Sequence, residues 1–229
     1  LLRDMPAGTD PLGPDNLLIF APGVLQGSNL PGTGRHALGA RSPLTGALGS
    51  SEVGGWWGHE FKRSGFDALV VHGRSEKPVY LWIHDGEVEI RAADHLWGKE
   101  TAPTQESIRQ ELGDDKVRLA LIGPAGENMV RFAAVMHDVN RAAGRNGMGA
   151  VMGSKNLKAV AVRGSQTLKI ADRKRLTVVS RWLGDNYKVM NAWAVEMGTP
   201  GSIDGLGHIG ALPTRAFKDP LFEQHAQIG

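Results

Sequence analysis

The chain has 229 residues, 26 Lys plus Arg against 24 Asp plus Glu, and no cysteine. That length suits one large domain, or one domain with part of a second, and the missing cysteine removes disulfides, thiolate nucleophiles, zinc thiolates and ordinary iron–sulfur ligation from these residues. The net charge of +2 comes from interspersed signs with no basic stripe, which argues against nucleic acid, and the apolar runs at 17–21 and 68–71 fall far short of the roughly 20 residues of a membrane helix.

A soluble protein is expected, and zero cysteine is compatible with a reducing cytoplasm, the expected location. The chain opens at Leu1 with no methionine or signal-like segment, and its first residues read as the end of a helix, so a preceding segment is expected. Residues 16–22 (NLLIFAP) predict a strand followed by Gly23. The Gly-, Ser-, Thr- and Pro-rich stretch that follows predicts tight turns and short strands. Residues 56–64 (WWGHEFKRS) suit a short helix and 66–73 (FDALVVHG) a buried strand. Residues 79–84 and 87–91 flank Asp85-Gly86, the strongest short-range hairpin signal.

Ile108 and Leu112 give helical spacing over 104–112, with Gly113 as the stop. Residues 116–122 predict a strand closed by a turn at 123–128. Residues 130–136 (VRFAAVM) predict a strand leading into a glycine-rich cluster, and 157–163 (LKAVAVR) a last apolar strand. Composition shifts after Ser165: 172–187 reads as an amphipathic helix, 188–197 continues it or starts another, and 198–213 is loop-like.

The 31 glycines are roughly twice the usual share and are clustered. The first cluster joins Gly32-Thr33-Gly34-Arg35, SPLTG at 42–46 and SSEVGG at 50–55. Glycines let backbone N–H groups approach an anion, and an adjacent guanidinium binds phosphate bidentately; a plain set of β-turns reads equally from these residue types. The second cluster, 140–156, carries Arg141 and Arg145 followed by Gly147, Gly149 and Gly153. Fixed cations beside exposed backbone donors suit a phosphorylated cofactor, and a glycine-rich sheet crossover is the plainer alternative. Neither the phosphate-loop register nor the dinucleotide fingerprint is present, which disfavours ATP and NAD. No histidines fall at HxxxH or HExxH spacing, so a zinc site is not expected. Glu52 and Glu60 flank the glycine pair without a positioned acid–base partner, and Glu52 reads as a metal ligand or a solvated turn residue. Trp56-Trp57 either walls a planar cofactor or packs in the core.

In order along the chain, GTGR (32–35), SPLTG (42–46), GGWWGHEFKRSGFDALVVHG (54–73), KPVYLWI (77–83), IGPAGEN (122–128) and RAAGRNGMGAVMGSKNLKAVAV (141–162) resemble the N-terminal domain of the tungsten-containing aldehyde ferredoxin oxidoreductases. The resemblance runs from about residue 1 to 170. It implies an α+β fold: a strand-rich pterin-binding domain of saddle-like sheets with short helices over 1–166, then the start of a mostly helical second domain over 167–229. It implies a tungsten (or molybdenum) bis-pyranopterin, whose own sulfurs hold the metal without protein thiolates.

Carried over by position, the family's pterin contacts fall on Arg35, Gly54, Arg141, Ala142, Gly144 and Arg145. The arginines would neutralise phosphates, and the small residues would present backbone groups to them or to a bridging magnesium. Glu52 stands where the aldehyde enzymes carry an Asn that helps hold this magnesium, and a carboxylate can ligate the same hard cation. The family's 4Fe-4S ligands and its catalytic Glu and His would lie downstream, so no catalytic residue is expected here and these residues alone are not expected to turn over. The implied activity of the whole protein is oxidation of aldehydes to carboxylic acids, with electrons passed to ferredoxin or an electron-transfer subunit in a homo-oligomer or hetero-complex. Aromatic acyl-CoA reduction and a non-catalytic pterin-binding scaffold are the alternatives.

Overall fold

The first apolar run forms β1 (Leu18–Pro22), with Leu18 and Phe20 sealed in the core and Ala21 turned outward. In the computed structural model, which describes residues 3–228, β1 pairs antiparallel with β2 (His36–Arg41), and β2 with β3 (Leu48–Val53). After α1 (Trp57–Arg63), the short β4 (Leu69–Val71) returns to the free edge of β1, giving a four-stranded sheet of order β3-β2-β1-β4. The strand expected over 66–73 is therefore confined to its centre.

The remaining strands of the first unit are β5 (Val79–His84), β6 (Glu87–Ala92), β7 (Arg118–Leu121), β8 (Val135–His137), β9 (Arg141–Ala143) and β10 (Leu157–Arg163). They form a six-stranded sheet of order β6-β5-β10-β7-β8-β9 in which only β10 and β5 run parallel. The predicted hairpin closes β5 on β6, with Asp85 (φ 42°) and Gly86 (φ 95°) both left-handed, as a type I′ turn requires. Helix α2 (Thr101–Leu112) starts ahead of its predicted first residue, with Pro103 in the first turn where a missing donor costs nothing, and stops at left-handed Gly113. The predicted turn at 123–128 winds into one helical turn, α3 (Pro124–Glu127).

Strand β10 passes through the middle of the unit, and its period of two divides the core. Val160 and Val162 join Trp57, Phe61, Phe20 and Ile83 on one face, while Ala159 and Ala161 join Tyr80, Leu119, Leu121 and Ile108 on the other. Lys158 is fully buried in this strand; its ammonium donates to the Lys99 carbonyl at 2.8 Å and pairs with the Glu127 carboxylate. Burial lowers its pKa, opposed by that carboxylate.

Two expectations fail around the second glycine cluster. The strand foreseen over 130–136 shrinks to β8, because residues 130–133 close a turn in which Ala133 N–H donates to the Val130 carbonyl at 2.8 Å. Residues 148–154, read as part of a glycine-rich cluster or sheet crossover, form helix α4 (Met148–Ser154), every residue of which is buried.

Contacts divide the chain into Leu1–Ala171 and Asp172–Gly229, so the division falls a few residues beyond the compositional break at 166. The second unit is helical: α5 (Arg173–Met190), capped by the Asp172 carboxylate accepting from Arg175 N–H at 2.9 Å, and α6 (Ala192–Glu196). Residues 198–213, expected as a loop, instead contain a 3-10 turn (Thr199–Ser202) and α7 (Ile203–His208); a further 3-10 turn spans His225–Gln227. The molecule is α+β, strand-rich first and helical second. No helix among the described residues is long and apolar enough to cross a membrane.

Candidate functional site

The two glycine-rich segments, far apart in sequence, meet where β3 abuts β9. Arg145 N–H donates to the Ser51 hydroxyl at 3.1 Å, the Asn146 amide donates to the Ser50 carbonyl at 2.7 Å, and the Ser42 hydroxyl donates to the Asn146 carbonyl at 2.9 Å. Gly49 permits this approach, since a side chain there would begin 2.8 Å from Asn146 Cβ. The seam joins the edge strand of the four-stranded sheet to the edge strand of the six-stranded one.

Along the seam lies an open cavity of about 780 Å³ lined by Arg35, Ser50, Ser51, Glu52, Ala142, Gly144 and Arg145. The structure thus brings together Arg35, Glu52, Ala142, Gly144 and Arg145. It separates Arg141 from them: neighbouring residues of a strand face opposite ways, and Arg141 lines a second cavity of about 320 Å³ with Gly55, Trp56, Arg109, Arg118 and Asp138. Gly54 sits half-buried in the turn between β3 and α1, near the Gly34 carbonyl, and its neighbour Gly55 lines the second cavity. Gly55 has φ +105° and lies 3.4 Å, at its Cβ position, from Arg141 Cγ.

The cavity is electrostatically open. Arg35 Nη1 stands 3.9 Å from Glu52 Oε2, with side chains 72% and 66% exposed, a separation and exposure at which the pair contributes little and leaves both groups available. Among the described residues, the Arg141 and Arg145 side chains form no ion pair, and both are exposed. An anion entering here meets guanidinium forks and the uncrowded backbone of Gly144, whose Cβ position touches only Ala142 Cβ at 3.9 Å. Among the described residues Glu52 is the one carboxylate on the wall, placed where a hard cation could bridge it to an anionic ligand.

The other glycines of the second cluster do different work. A Cβ on Gly147 or Gly153 would collide with the Arg131 or Gly126 carbonyl, and one on Gly149 would lie 2.8 Å from the Ala133 carbonyl. These three residues pack α4 against neighbouring backbone and do not present donors to a ligand, which corrects their reading as anion-binding glycines.

Beneath the cavity, His36 follows Arg35, and His137 pairs with Arg141 in the β8–β9 register. Their Nε2 atoms lie 3.1 Å apart, and both rings contact Trp57, His36 stacked at 4.9 Å and His137 edge-on at 5.8 Å. Burial pushes His36 down to about 4 and His137 well below the usual imidazole range. Both are therefore neutral near pH 7, one Nε2–H donating to the other Nε2.

The tryptophan pair splits. Trp57 is core, stacked on Phe61 at 5.0 Å with its indole N–H donating to the Val160 carbonyl at 2.9 Å, while Trp56 is 59% exposed and lines the Arg141 cavity. Glu60 is a buried anchor that accepts from Arg163 at 2.9 Å and Gly164 N–H at 3.0 Å, which excludes it from acid–base work at the surface. Ser50 and Ser51 also line the first cavity, a role that their residue types in SSEVGG do not signal. Arg109 and Arg118 carry no sequence signal; the fold brings them to within 4.0 and 3.8 Å of the Asp138 carboxylate.

The family model for the aldehyde ferredoxin oxidoreductase N-terminal domain matches residues 1–164. The chain is 46% identical over 225 residues to a tungsten-containing aldehyde ferredoxin oxidoreductase of Pyrococcus furiosus, and 47% identical over 226 residues to one of Thermococcus kodakarensis. Each match covers 97% of this chain and 37% of the relative, so the chain spans little more than a third of these proteins' length. Among solved structures, the active-site complex BamBC of benzoyl coenzyme A reductase, in complex with 1,5-dienoyl-CoA, matches with a TM-score of 0.80 and 39% identity, over 83% of this chain and 29% of that one.

Proposed function

The chain belongs to the aldehyde ferredoxin oxidoreductase family, and from that premise we propose that its first unit cradles one side of a tungsten (or molybdenum) bis-pyranopterin in an oxidoreductase acting on aldehydes. The observation that carries this reading is the convergence of Arg35 and Arg145 with the small residues Ala142 and Gly144 on one open cavity, although they come from opposite ends of the unit. Exposed guanidinium groups, Arg35 only loosely paired with Glu52 and Arg145 in no ion pair among the described residues, fit a phosphorylated, highly polar group.

In the proposed roles, Arg35 and Arg145 neutralise cofactor phosphates, Arg141 does so from the adjoining cavity, and Gly54, Ala142 and Gly144 let backbone approach the same groups. Glu52 holds a magnesium ion beside those phosphates through its carboxylate. When bound, the cofactor supplies the two-electron oxidation of an aldehyde to a carboxylic acid, with water as the oxygen source. A 4Fe-4S cluster and a ferredoxin-type acceptor belong to the complete protein under this reading, with ligands outside these residues. The protein then works as an oligomer or hetero-complex in the cytoplasm.

The test is metal and pterin analysis of the complete, anaerobically purified protein. Arg141→Ala with Arg145→Ala is expected to remove tungsten and pterin while leaving the β5–β6 hairpin region folded; unaltered tungsten content in that variant would overturn the assignment. The likeness to BamBC supports a second reading, reduction of an aromatic acyl-CoA on the same cofactor. Assays of dye-coupled aldehyde oxidation and of aromatic acyl-CoA reduction separate the two, and a metal-loaded protein inactive in both would be a scaffold.

A further inference from the structure

The second unit holds a grouping of ligating side chains that the reading above does not use. Helix α7 carries Asp204 and His208 four residues apart, hence on one face, and the 3-10 turn His225–Gln227 brings His225 back to that face. His225 Nδ1 lies 3.2 Å and His208 Nδ1 3.5 Å from the same oxygen, Asp204 Oδ1. Ligand atoms of all three residues fall within 4.8 Å of one another, and the two rings meet edge to face at 5.6 Å.

This arrangement is built into the backbone at Gly207. A Cβ at that position would lie 2.5 Å from His225 Nδ1 and 2.6 Å from its Cγ, so only glycine leaves the notch into which the ring fits. Inside the notch, Nδ1 is sealed from solvent and faces the carboxylate, yet makes no hydrogen bond of acceptable geometry. A buried nitrogen left in this way is costly unless a further group joins it to the oxygen. A tetrahedral ion with bonds of about 2.0–2.1 Å holds its donors about 3.3 Å apart, which is the spacing the two histidines keep from Asp204 Oδ1.

We propose that Asp204, His208 and His225 form a two-histidine, one-carboxylate site for a divalent transition ion of the zinc class. Two imidazole nitrogens with a single carboxylate select such an ion over magnesium or calcium, which demand oxygen donors. His208 Nδ1 also lies 2.8 Å from the Asp204 carbonyl; on binding, it exchanges this solvent-exposed bond for the ion, and the ring proton sits on Nε2, which water reaches. With Asp204 and His208 exposed, a remaining coordination position opens to solvent. The ion would staple α7 to the turn that follows it. Histidine spacing missed the site because the pairing within the helix is Asp with His, and the second histidine arrives from a distant turn. The comparable grouping of His84, Glu87 and Glu89 is already spent, since Glu89 accepts from Arg91 at 2.9 and 3.0 Å and lies 3.0 Å from His84.

The complete protein, dialysed against chelator-buffered zinc and analysed for metals, is expected to hold one more zinc per chain than its Asp204→Asn, His208→Ala and His225→Ala variants, at equal tungsten and iron content. Gly207→Ala keeps all three donors but displaces the His225 ring, and should weaken binding by about 10-fold or more. X-ray absorption at the zinc edge of the wild-type protein should show two imidazole ligands at about 2.0–2.1 Å, a readout that stands even where a variant fails to fold. Equal zinc in wild type and variants, or a zinc shell without imidazole, would overturn the proposal.

Discussion

The two glycine-rich segments of the first unit share a composition and differ in what their glycines do. In the first, Gly32 and Gly46 adopt φ +81° and +72° with nothing within 4 Å of a Cβ position, so they serve exposed turns. In the second, Gly147, Gly149 and Gly153 lie against backbone carbonyls of residues 126 and 131–134 and are buried. Glycine enrichment thus marks turn geometry in one segment and close packing in the other. What faces the cavity is the arginines and small residues between them, with Gly144 the one open glycine of the second segment.

Replacing Gly153 by Ala tests this contrast with the largest effect. The methyl group would collide with the Gly126 carbonyl, so α4 must move off α3, and a loss of about 3 kcal/mol or more is expected from overpacking against rigid backbone. The corresponding Gly32→Ala change meets open space and bears only the left-handed backbone, about 1 kcal/mol. Denaturant unfolding of both variants would erase the distinction if the two losses were equal.

Of comparable size to the Gly153 effect is the pH response of the buried imidazole pair where the segments approach each other. His36 is held down to about 4 by burial and His137 is lowered as well. Below the ordinary imidazole value of about 6.5 the unfolded rings take up protons while the folded ones do not, so acid favours unfolding. Stability should be complete at pH 7 and fall as pH drops from about 6.5 toward 4, by about 1.4 kcal/mol per pH unit for each resisting ring. For His36 alone this sums to about 3 kcal/mol. His59, also lowered by burial, adds in the same direction. A flat stability profile between pH 6.5 and 4.5 would show that the pair is protonated or open to water in the folded protein.

Local chemistry was legible wherever it decides structure. Asp85-Gly86 specifies its hairpin through two left-handed residues, Gly113 ends α2 in the left-handed region, and the apolar run of 157–163 reads as the strand that β10 forms. Helix α4 was not legible, because two glycines among its seven residues and a third at its N-cap oppose helix propensity, and only tertiary burial stabilises it. Residues 130–136 misled through a strand-like pattern whose first half closes a turn under α4. The cavity could not be read from spacing: Arg145 and Ser51 touch across 94 residues and His36 and His137 across 101, and the family resemblance grouped only Arg35, Glu52 and the residues at 141–145. Even so, the resemblance did not foresee that Arg141 faces a different cavity from Arg145.

The smallest expected effect on folding, and the sharpest on the proposed ligand, is at Glu52. Its carboxylate is exposed, and its contact with Arg35 is too long and too solvated to matter for stability. Glu52→Gln should therefore change unfolding by no more than about 0.5 kcal/mol while keeping the side-chain shape and a ligating oxygen. What it removes is the negative charge that offsets Arg35 and Arg145 and attracts a hard cation. Magnesium content of the complete protein should fall, with phosphate retention by the two arginines preserved or strengthened. If magnesium is unchanged, Glu52 is a solvated residue of the cavity rim and the charge of the wall is set by the arginines alone; if pterin is lost together with magnesium, the ion bridges carboxylate and phosphate and the first segment contributes as much to the cradle as the second.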